Sequence, residues 1–521
     1  MDEKVMSDAR AAFPASGPSL TLGAVVHDGV CAPEPIISLP LAMANRHGLI
    51  AGATGTGKTK TLQLLAEQFS AAGVPVFLAD LKGDLSGLSA PGEASERVLQ
   101  RAKDTGYTWK PAARPVEFLS LTGKRGAQVR ATVSSFGPLL LAKVLGLNDT
   151  QSSVLTLVFK YCDDQKLPLI DFTDLRAVLQ YLTSEAGEGQ LANYGGMSKA
   201  TVGVLLREMV ELEQQGAGAF LGEPEFELAD LLQVERDGSG LVSVLELQDV
   251  QDKPALFSTF MMWMLVRLYH ELPEVGDVDQ PKLVFFFDEA HLLFDGASKT
   301  FTDQVEQIVR LVRSKGVGIY FVTQSPKDIP ADILGQLGHR VQHALRAFTP
   351  DDEKALRAAA RTFPKTAHYD VESTLTSLGI GEALVTVLSP NGTPTPPFAT
   401  RMIPPATRMG PLTDAELAAA LSRSAQVKEY AITVDNESAR ELLLERMAPA
   451  AQGTAAPAMG GTTDVPTAAV AVGGVLAALG AAINSPLGRM IVGRASTQVA
   501  RGLMGALLGA PPRRRTRRRS Y

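Results

Sequence analysis

Cysteine is almost absent: Cys31 and Cys162 are the only two in 521 residues. That excludes a disulfide scaffold and a cysteine-based zinc module, and it fits a reducing compartment. The N-terminal stretch MDEKVMSDAR carries acids and no apolar run, so no secretory signal is expected and the chain reads as cytoplasmic. The uncharged stretch 468–483 is rich in Ala and Gly and, at 16 residues, falls short of the roughly 20 needed to span a bilayer, so integral membrane insertion is not expected. Positive charge is scarce outside one place. The net charge is −6, but the last eleven residues, PPRRRTRRRSY, hold six arginines, so residues 1–510 carry −12. An acidic body lacks the general basic footprint of a nucleic-acid binder. Any polyanion contact must come from a local patch, such as a pore loop or this tail.

Hydrophobic residues make up 45% and charged residues 20%, the balance of a globular protein. The length corresponds to about three units at roughly 100–200 residues each, or to one elaborated α/β domain with appendages. Residues 1–45 are short and punctuated by proline, with an apolar segment (Leu20 to Val26) that suits one hairpin. From Arg46 onward, apolar runs at 47–53, 75–80, 240–247, 282–288, 316–323 and 340–345 alternate with helical stretches. Continuous apolar strands separated by helices predict an α/β fold with a mainly parallel sheet covered on both faces. Residues 129–235 instead show a 3.6-residue period (Val154, Leu155, Val158, Phe159; Leu175, Val178, Leu179, Leu182; Val202, Leu205, Leu206, Met209, Val210), which predicts a helical insertion. The resulting division is a short N-terminal segment (1–45), an α/β domain (46–400) and a helical C-terminal extension (401–446). A flexible linker (447–468) and an apolar, basic helical tail (469–521) follow.

Gly52-Ala53-Thr54-Gly55-Thr56-Gly57-Lys58-Thr59 fits G-x-x-x-x-G-K-[ST], follows an apolar strand and opens a helix. Chemistry requires that order: glycines let backbone N–H groups curl around a phosphate, and the helix N-terminus adds partial positive charge. Lys58 is expected on the β- and γ-phosphates of ATP, and the Thr59 hydroxyl on Mg²⁺. In Lys282–His291 (KLVFFFDEAH), five apolar residues lead into two acids, placing both at the C-terminal end of a buried strand. There Asp288 suits the Mg²⁺ shell and Glu289 the general base that polarises water. His291 has no ligand-spaced companion, so a structural role is expected for it. Gln324 ends a further apolar strand, where an amide either senses the γ-phosphate or caps the next turn. Asp80 ends the strand VPVFLAD, where it either tunes the site or initiates a turn.

Together GATGTGKT, LADLKGD, FFFDEAH and RSKGVGIYFVTQSP resemble the HerA/FtsK superfamily of RecA-like motor ATPases, closest to the HerA-like bacterial ATPases of the YjgR type. The resemblance covers roughly residues 20–430 and the segment around 485–509. It implies a RecA-like P-loop NTPase fold, ATP and Mg²⁺ as cofactors, and a hexameric homo-oligomer that acts on DNA as a translocase or helicase. It also implies that Gln324 is a sensor amide, that Asp80 is the acid on the strand after the P-loop, and that Arg46 lies near the nucleotide. Arg310 and Arg313 lie where the family carries an arginine finger into the neighbouring subunit; surface helix arginines are the alternative for both. HerA proper has an N-terminal β-barrel, for which the 45 residues before Arg46 are too few, so its partner nuclease is not carried over. The rival class is an ATP-dependent assembly or protein-remodelling factor that threads no DNA. In the tail, Arg489, Arg494 and Arg501 lie among apolar residues, a basic amphipathic helix suited to a partner, an anionic membrane surface or DNA. The closing arginines suit phosphate contact or simple solubility.

Overall fold

A computed structural model describes residues 2–447 apart from 16, 296–298 and 435. The expected tail, and the expected linker after residue 447, lie outside the described residues. Twelve strands form one sheet: β1 (Ser19–His27), β2 (Val30–Pro40), β3 (Gly48–Ala51), β4 (Val76–Asp80), β5 (Val116–Ser120), β6 (Ala127–Gln128), β7 (Val242–Glu246), β8 (Leu283–Phe287), β9 (Val317–Thr323), β10 (His339–His343), β11 (Glu382–Thr386) and β12 (Phe398–Met402). Their spatial order is β2-β1-β12-β11-β10-β3-β9-β8-β4-β7-β5-β6. From β10 to β6 every neighbouring pair is parallel; from β10 to β2 every pair is antiparallel.

The apolar runs follow from burial on both faces. In β8 all five residues are buried, with Phe285 and Phe287 in one core cluster and Val284 and Phe286 in the other. Side chains alternate across a strand, so a sheet covered on both sides favours apolar residues at successive positions. Neighbouring strands are joined by rings across their register: Phe77 stacks on Phe285 at 4.5 Å and Phe286 on Tyr320 at 5.1 Å.

Between β6 and β7 lie helices Val133–Val144, Asp149–Gln165, Phe172–Leu182 and Lys199–Gln214. Their starts are fixed by side-chain caps from Thr132, Asn148, Asp171 and Ser198, each accepting a backbone N–H. The periodic residues Leu155, Val158, Leu175, Val178, Leu179, Leu205 and Met209 enter the same core as one face of the sheet, whereas Val210 stays 45% exposed. The C-terminal helix Ala439–Met447 returns to this block, where the Arg440 N–H donates to Asp174 Oδ1 at 3.3 Å.

Within the expected N-terminal segment, residues 19–27 and 30–40 join the main sheet. The β1–β2 hairpin pairs with β12, and at Gly23 any Cβ would sit 2.1 Å from the Arg401 carbonyl oxygen. No described helix is long and apolar enough to cross a membrane.

Candidate nucleotide site

The loop 52–57 leaves the C-terminal end of β3 and turns directly into the helix Lys58–Ala71. Its glycines are placed by geometry. Gly55 (φ 77°) and Gly57 (φ 124°) occupy backbone space that L side chains avoid, and a Cβ on Gly52 would lie 2.5 Å from the His343 Cβ. The loop is anchored by Ala53 N–H donating to the Ala344 carbonyl and Gly381 N–H to the Thr56 carbonyl, both at 2.9 Å. Thr56 Oγ1 donates to the Ala53 carbonyl at 2.7 Å. Thr54 and Gly55 form an exposed crest, while Thr59 is half-buried. Lys58 Nζ folds back to the carbonyls of Gly52 (2.7 Å) and Ala53 (3.2 Å), and burial lowers its pKa against the pull of Glu289.

His343 supports this loop from beneath. Burial pushes its pKa down to about 4, so the ring is neutral. Its Nδ1 lies 2.9 Å from the Glu382 carbonyl, which only accepts, so Nδ1 carries the proton and Nε2 accepts from the Thr61 hydroxyl at 2.8 Å. The sequence carries no signal for this role, because the contact spans 282 positions.

Asp288 and Glu289 follow β8, each only 4% exposed. Because β9 lies between β3 and β8, the two motif strands are separated by two strand spacings, about 10 Å. Asp288 Oδ1 accepts the Glu289 N–H at 3.0 Å, while its Oδ2 is buried without a partner. Burial, and then the neighbouring Glu289 charge, push Asp288 up to about 7. Glu289 is one of four non-glycine residues of positive φ among those described, at 49°. Strain of this kind costs about 1–3 kcal/mol and clusters at working sites. Its Oε2 is also unpartnered, with His291 Nδ1 at 3.4 Å. The open, buried carboxylate oxygen of Asp288 and the Thr59 hydroxyl are hard oxygen donors, the chemistry that fits Mg²⁺. Gln324 follows β9 and so lies between the P-loop strand and β8; its side chain is exposed.

Asp80 lies three strands along the sheet from β3, where its charge still reaches Lys60 and Asp288. It ends β4, on the far side of β8, and its oxygens accept from Lys82 N (3.1 Å), Gly83 N (2.7 Å) and Leu85 N (2.9 Å). The turn that it shapes presents the Lys82 side chain to Glu289 Oε1 in an ion pair. Burial opposes a charged Lys82, but the Glu289 bond and charge raise its pKa overall. Sequence reasoning passed over Lys82, though it lies two positions beyond Asp80.

Asp80 faces Glu246 in the β4–β7 register. Glu246 is fully buried, its Oε2 3.2 Å from Arg125 Nε and its Oε1 unpartnered. Burial, and then Asp80, push its pKa up to about 7. With a folded pKa above the unfolded one, the folded state holds the extra proton between about pH 4.5 and 7, so stability falls as pH rises through that window. Glu246→Gln is therefore expected to melt above wild type at pH 8, with the difference vanishing towards pH 5. A melting-temperature series across that range checks it; a difference independent of pH would contradict a buried, titrating Glu246.

Arg46, Arg310 and Arg313 are brought together, but not to the P-loop of their own chain. Arg46 precedes β3 and Arg313 precedes β9, so they occupy the N-terminal edge of the parallel sheet, while Lys58 and Glu289 occupy its C-terminal edge. The three line one cavity of about 470 Å³ with Arg340. Asp277 Oδ1 lies 3.2 Å from Arg46 Nη2 and 3.8 Å from Arg313 Nη2, and Arg310 pairs with Glu306 at 2.7 Å. Side chains of Arg310 and Arg313 are 59% and 43% exposed.

The chain is 28% identical over 157 residues to a probable helicase of Methanocaldococcus jannaschii, covering 28% of each protein. It is 28% identical over 156 residues to the DNA double-strand break repair helicase HerA of Sulfurisphaera tokodaii, covering 29% of this chain and 30% of that protein. It thus spans under a third of the length of these curated relatives. Among solved structures, the plasmid coupling protein TrwB in complex with the GTP analogue GDPNP is 14% identical, with a TM-score of 0.49 over 76% of this chain and 99% of that chain. VirB4 of Thermoanaerobacter pseudethanolicus is 16% identical, with a TM-score of 0.43 over 75% and 97%. The profile of the helicase HerA-like C-terminal family matches residues 29–515, and with its P-loop and strand-end acids in place the chain belongs to that family as a P-loop NTPase.

Proposed function

We propose that the protein hydrolyses ATP with Mg²⁺ as a ring of identical subunits, six as the HerA/FtsK resemblance implies, and that the ring moves along DNA. The observation that carries this reading is the division of the site between opposite edges of one sheet. The parallel strands separate Arg46, Arg310 and Arg313 from Lys58 and Glu289 of the same chain by at least the length of β3, about 13 Å of extended backbone. Cations facing outward on one edge and an open phosphate cradle on the other are complementary surfaces for head-to-tail packing, which closes into a ring.

In this mechanism the backbone N–H groups of 54–59 and the helix N-terminus hold the phosphates. Lys58 exchanges the Gly52 and Ala53 carbonyls for the β- and γ-phosphate oxygens. Thr59 and Asp288 would hold Mg²⁺, which would supply neutralising charge at the phosphates. Glu289 takes the proton of the attacking water as its oxygen bonds to the γ-phosphorus and the bridge to ADP breaks. Gln324 orients that water, and a neighbour's arginine steadies the charge on the transferring group. Asp80 acts through the 82–85 turn.

The acidic body, at −12 without the tail, favours the second reading, an ATP-driven assembly or remodelling factor. ATPase rate measured with and without duplex DNA over a salt series separates the two. A motor is expected to be stimulated by DNA, with the stimulation fading as salt displaces phosphate contacts. A rate indifferent to DNA at every salt concentration would overturn translocation and leave the assembly reading.

A further inference from the structure

Phe348 is the most exposed large apolar side chain among the described residues, at 87%. It lies just past the C-terminal end of β10, which runs parallel to β3, and the Ala344 carbonyl of the same segment accepts from Ala53 of the phosphate loop. The ring therefore stands on the edge of the sheet that carries Lys58. Its backbone is held: the Phe348 and Thr349 N–H groups donate to Asp352 Oδ2 at 3.1 and 2.9 Å, and Arg346 Nη1 to the Thr376 carbonyl at 2.8 Å. Thr349 caps the helix Pro350–Ala360, which runs back across the sheet: beyond its last turn the Thr362 carbonyl accepts from Arg340, near the start of β10. Phe363 and Pro364 are brought in this way to the opposite edge. There, with Leu337, Leu388 and Pro394, they form the apolar part of the cavity of about 470 Å³ that holds Arg46, Arg310, Arg313 and Arg340. Its other polar lining is His47, Gln336, Thr362 and Thr386, with the two threonine hydroxyls taken up by the Ala359 and Thr395 carbonyls.

A projecting ring at one end of a helix and an apolar recess at the other are complementary in head-to-tail packing of identical copies. Strand order brings the two into register when it runs the same way in both copies. With the arginines ahead of β3 and β9 facing a neighbour's phosphate loop, the end of that neighbour's β10 falls against the flank that carries Leu337, Phe363 and Leu388. Charge agrees. Of the acids beside the ring, Asp351 and Glu353 are paired with Lys354 and Arg357. Asp352 is held by backbone N–H groups and Arg340 by the Thr362 and Leu334 carbonyls, so neither forms an ion pair among the described residues. About 150 Å³ of apolar cavity already accepts a benzene ring, so the recess admits a phenyl group with its arginines in place. A guanidinium against the ring face adds cation–π attraction. We propose that Phe348 anchors the subunit interface by inserting into this cavity of the next copy in the ring. The proposal rests on the head-to-tail reading above and adds the residue that carries the contact, since interface energy concentrates in aromatic groups seated in pockets.

Sedimentation of the full chain over a concentration series, with MgADP present, tests it. Phe348→Asp is expected to need at least about thirtyfold more protein than wild type to assemble, the fold-change of an interface hot spot. Phe348→Leu should recover most of the difference. Diluted to monomers, Phe348→Asp and wild type should bind MgADP alike, because an exposed side chain contributes little to the fold. The place of contact is read by mixing Phe348→Cys chains with Pro394→Cys chains and adding a short bifunctional maleimide. Both carry Cys31→Ser, since Cys31 is partly exposed while Cys162 is buried. A cross-linked pair is expected only in the mixture and only on assembly. Assembly of Phe348→Asp at wild-type concentrations, or an assembled mixture without the cross-link, overturns the proposal. A wild type that stays monomeric at every concentration would instead remove the ring reading, and this contact with it.

Discussion

Glu289→Gln is expected to bind ATP with wild-type affinity and to hydrolyse it at least about 10²-fold more slowly, the scale of a lost general base. The side chain is buried, its Oε2 has no hydrogen-bond partner among the described residues, and its backbone is held at φ 49°. A substitution of equal size leaves that strained turn and the nearby Asp288 in place while removing the proton acceptor. The Lys82 contact survives as a neutral hydrogen bond, so folding is not the property at stake. Lys58→Ala supplies the contrast: it removes a cation from the phosphate cradle and is expected to weaken nucleotide binding itself. Single-turnover hydrolysis alongside a nucleotide-binding titration separates the two effects. Equal single-turnover rates for wild type and Glu289→Gln would move the base elsewhere, and the nearest remaining candidate would be His291, at 3.4 Å from Glu289 Oε2.

The ion pair of Lys82 with Glu289 bears on that result. In the state described, the carboxylate proposed to accept the water's proton is neutralised by a lysine whose side chain is half exposed. Hydrolysis by Glu289 requires that pair to loosen. Lys82 lies near enough to Lys58 to lower its pKa, so a bound triphosphate offers Lys82 a competing anion on the same side of the sheet.

How much of this was legible in the sequence follows from the range of each interaction. Strands β3, β4, β7, β8 and β9 are visible as apolar runs because both of their faces are buried. In contrast, β11 (EALVT) and β12 (FATRM) carry polar and charged positions, read poorly as runs, and pair antiparallel beyond β10. The hairpin at Leu20–Val26 was legible, but its attachment to β12 was not, because that pairing joins positions some 380 residues apart. The same holds at the site. Residues 52–59 and 288–289 are contiguous motifs whose spacing is itself the chemistry. Lys82 meets Glu289 across 207 positions, and no local pattern encodes that meeting. The Asp80 carboxylate illustrates the converse: a strand-end acid looks alike whether it serves a ligand or a turn, and only its three backbone partners tell which.

Mixing Arg313→Ala subunits with Lys58→Ala subunits is expected to restore ATPase activity that neither variant has alone. Each single variant should be depressed by about 10³–10⁵ if the arginine acts on the transferring phosphoryl group. In the mixture, an intact site forms wherever an Arg313→Ala subunit offers its P-loop to the arginine edge of a Lys58→Ala subunit. Random assembly of equal parts makes about a quarter of the interfaces intact. Arg313 is the first choice over Arg310 because it shares Asp277 with Arg46, so the two guanidiniums form one charged edge. Arg310 is tied to Glu306 one turn away on its own helix, and the same mixing experiment applies to it. The opposite-edge placement makes the outcome decisive. A chain that completed its own site would need Arg313 to pass from the start of β9 to its end, where Gln324 lies; β9 has seven residues, about 23 Å of strand, beyond the reach of any side chain. A mixture as inactive as its parents, from subunits shown to assemble together, would therefore remove the shared site. Activity that stays constant on dilution to demonstrated monomer would do the same, because an interface site must lose rate as its neighbour leaves.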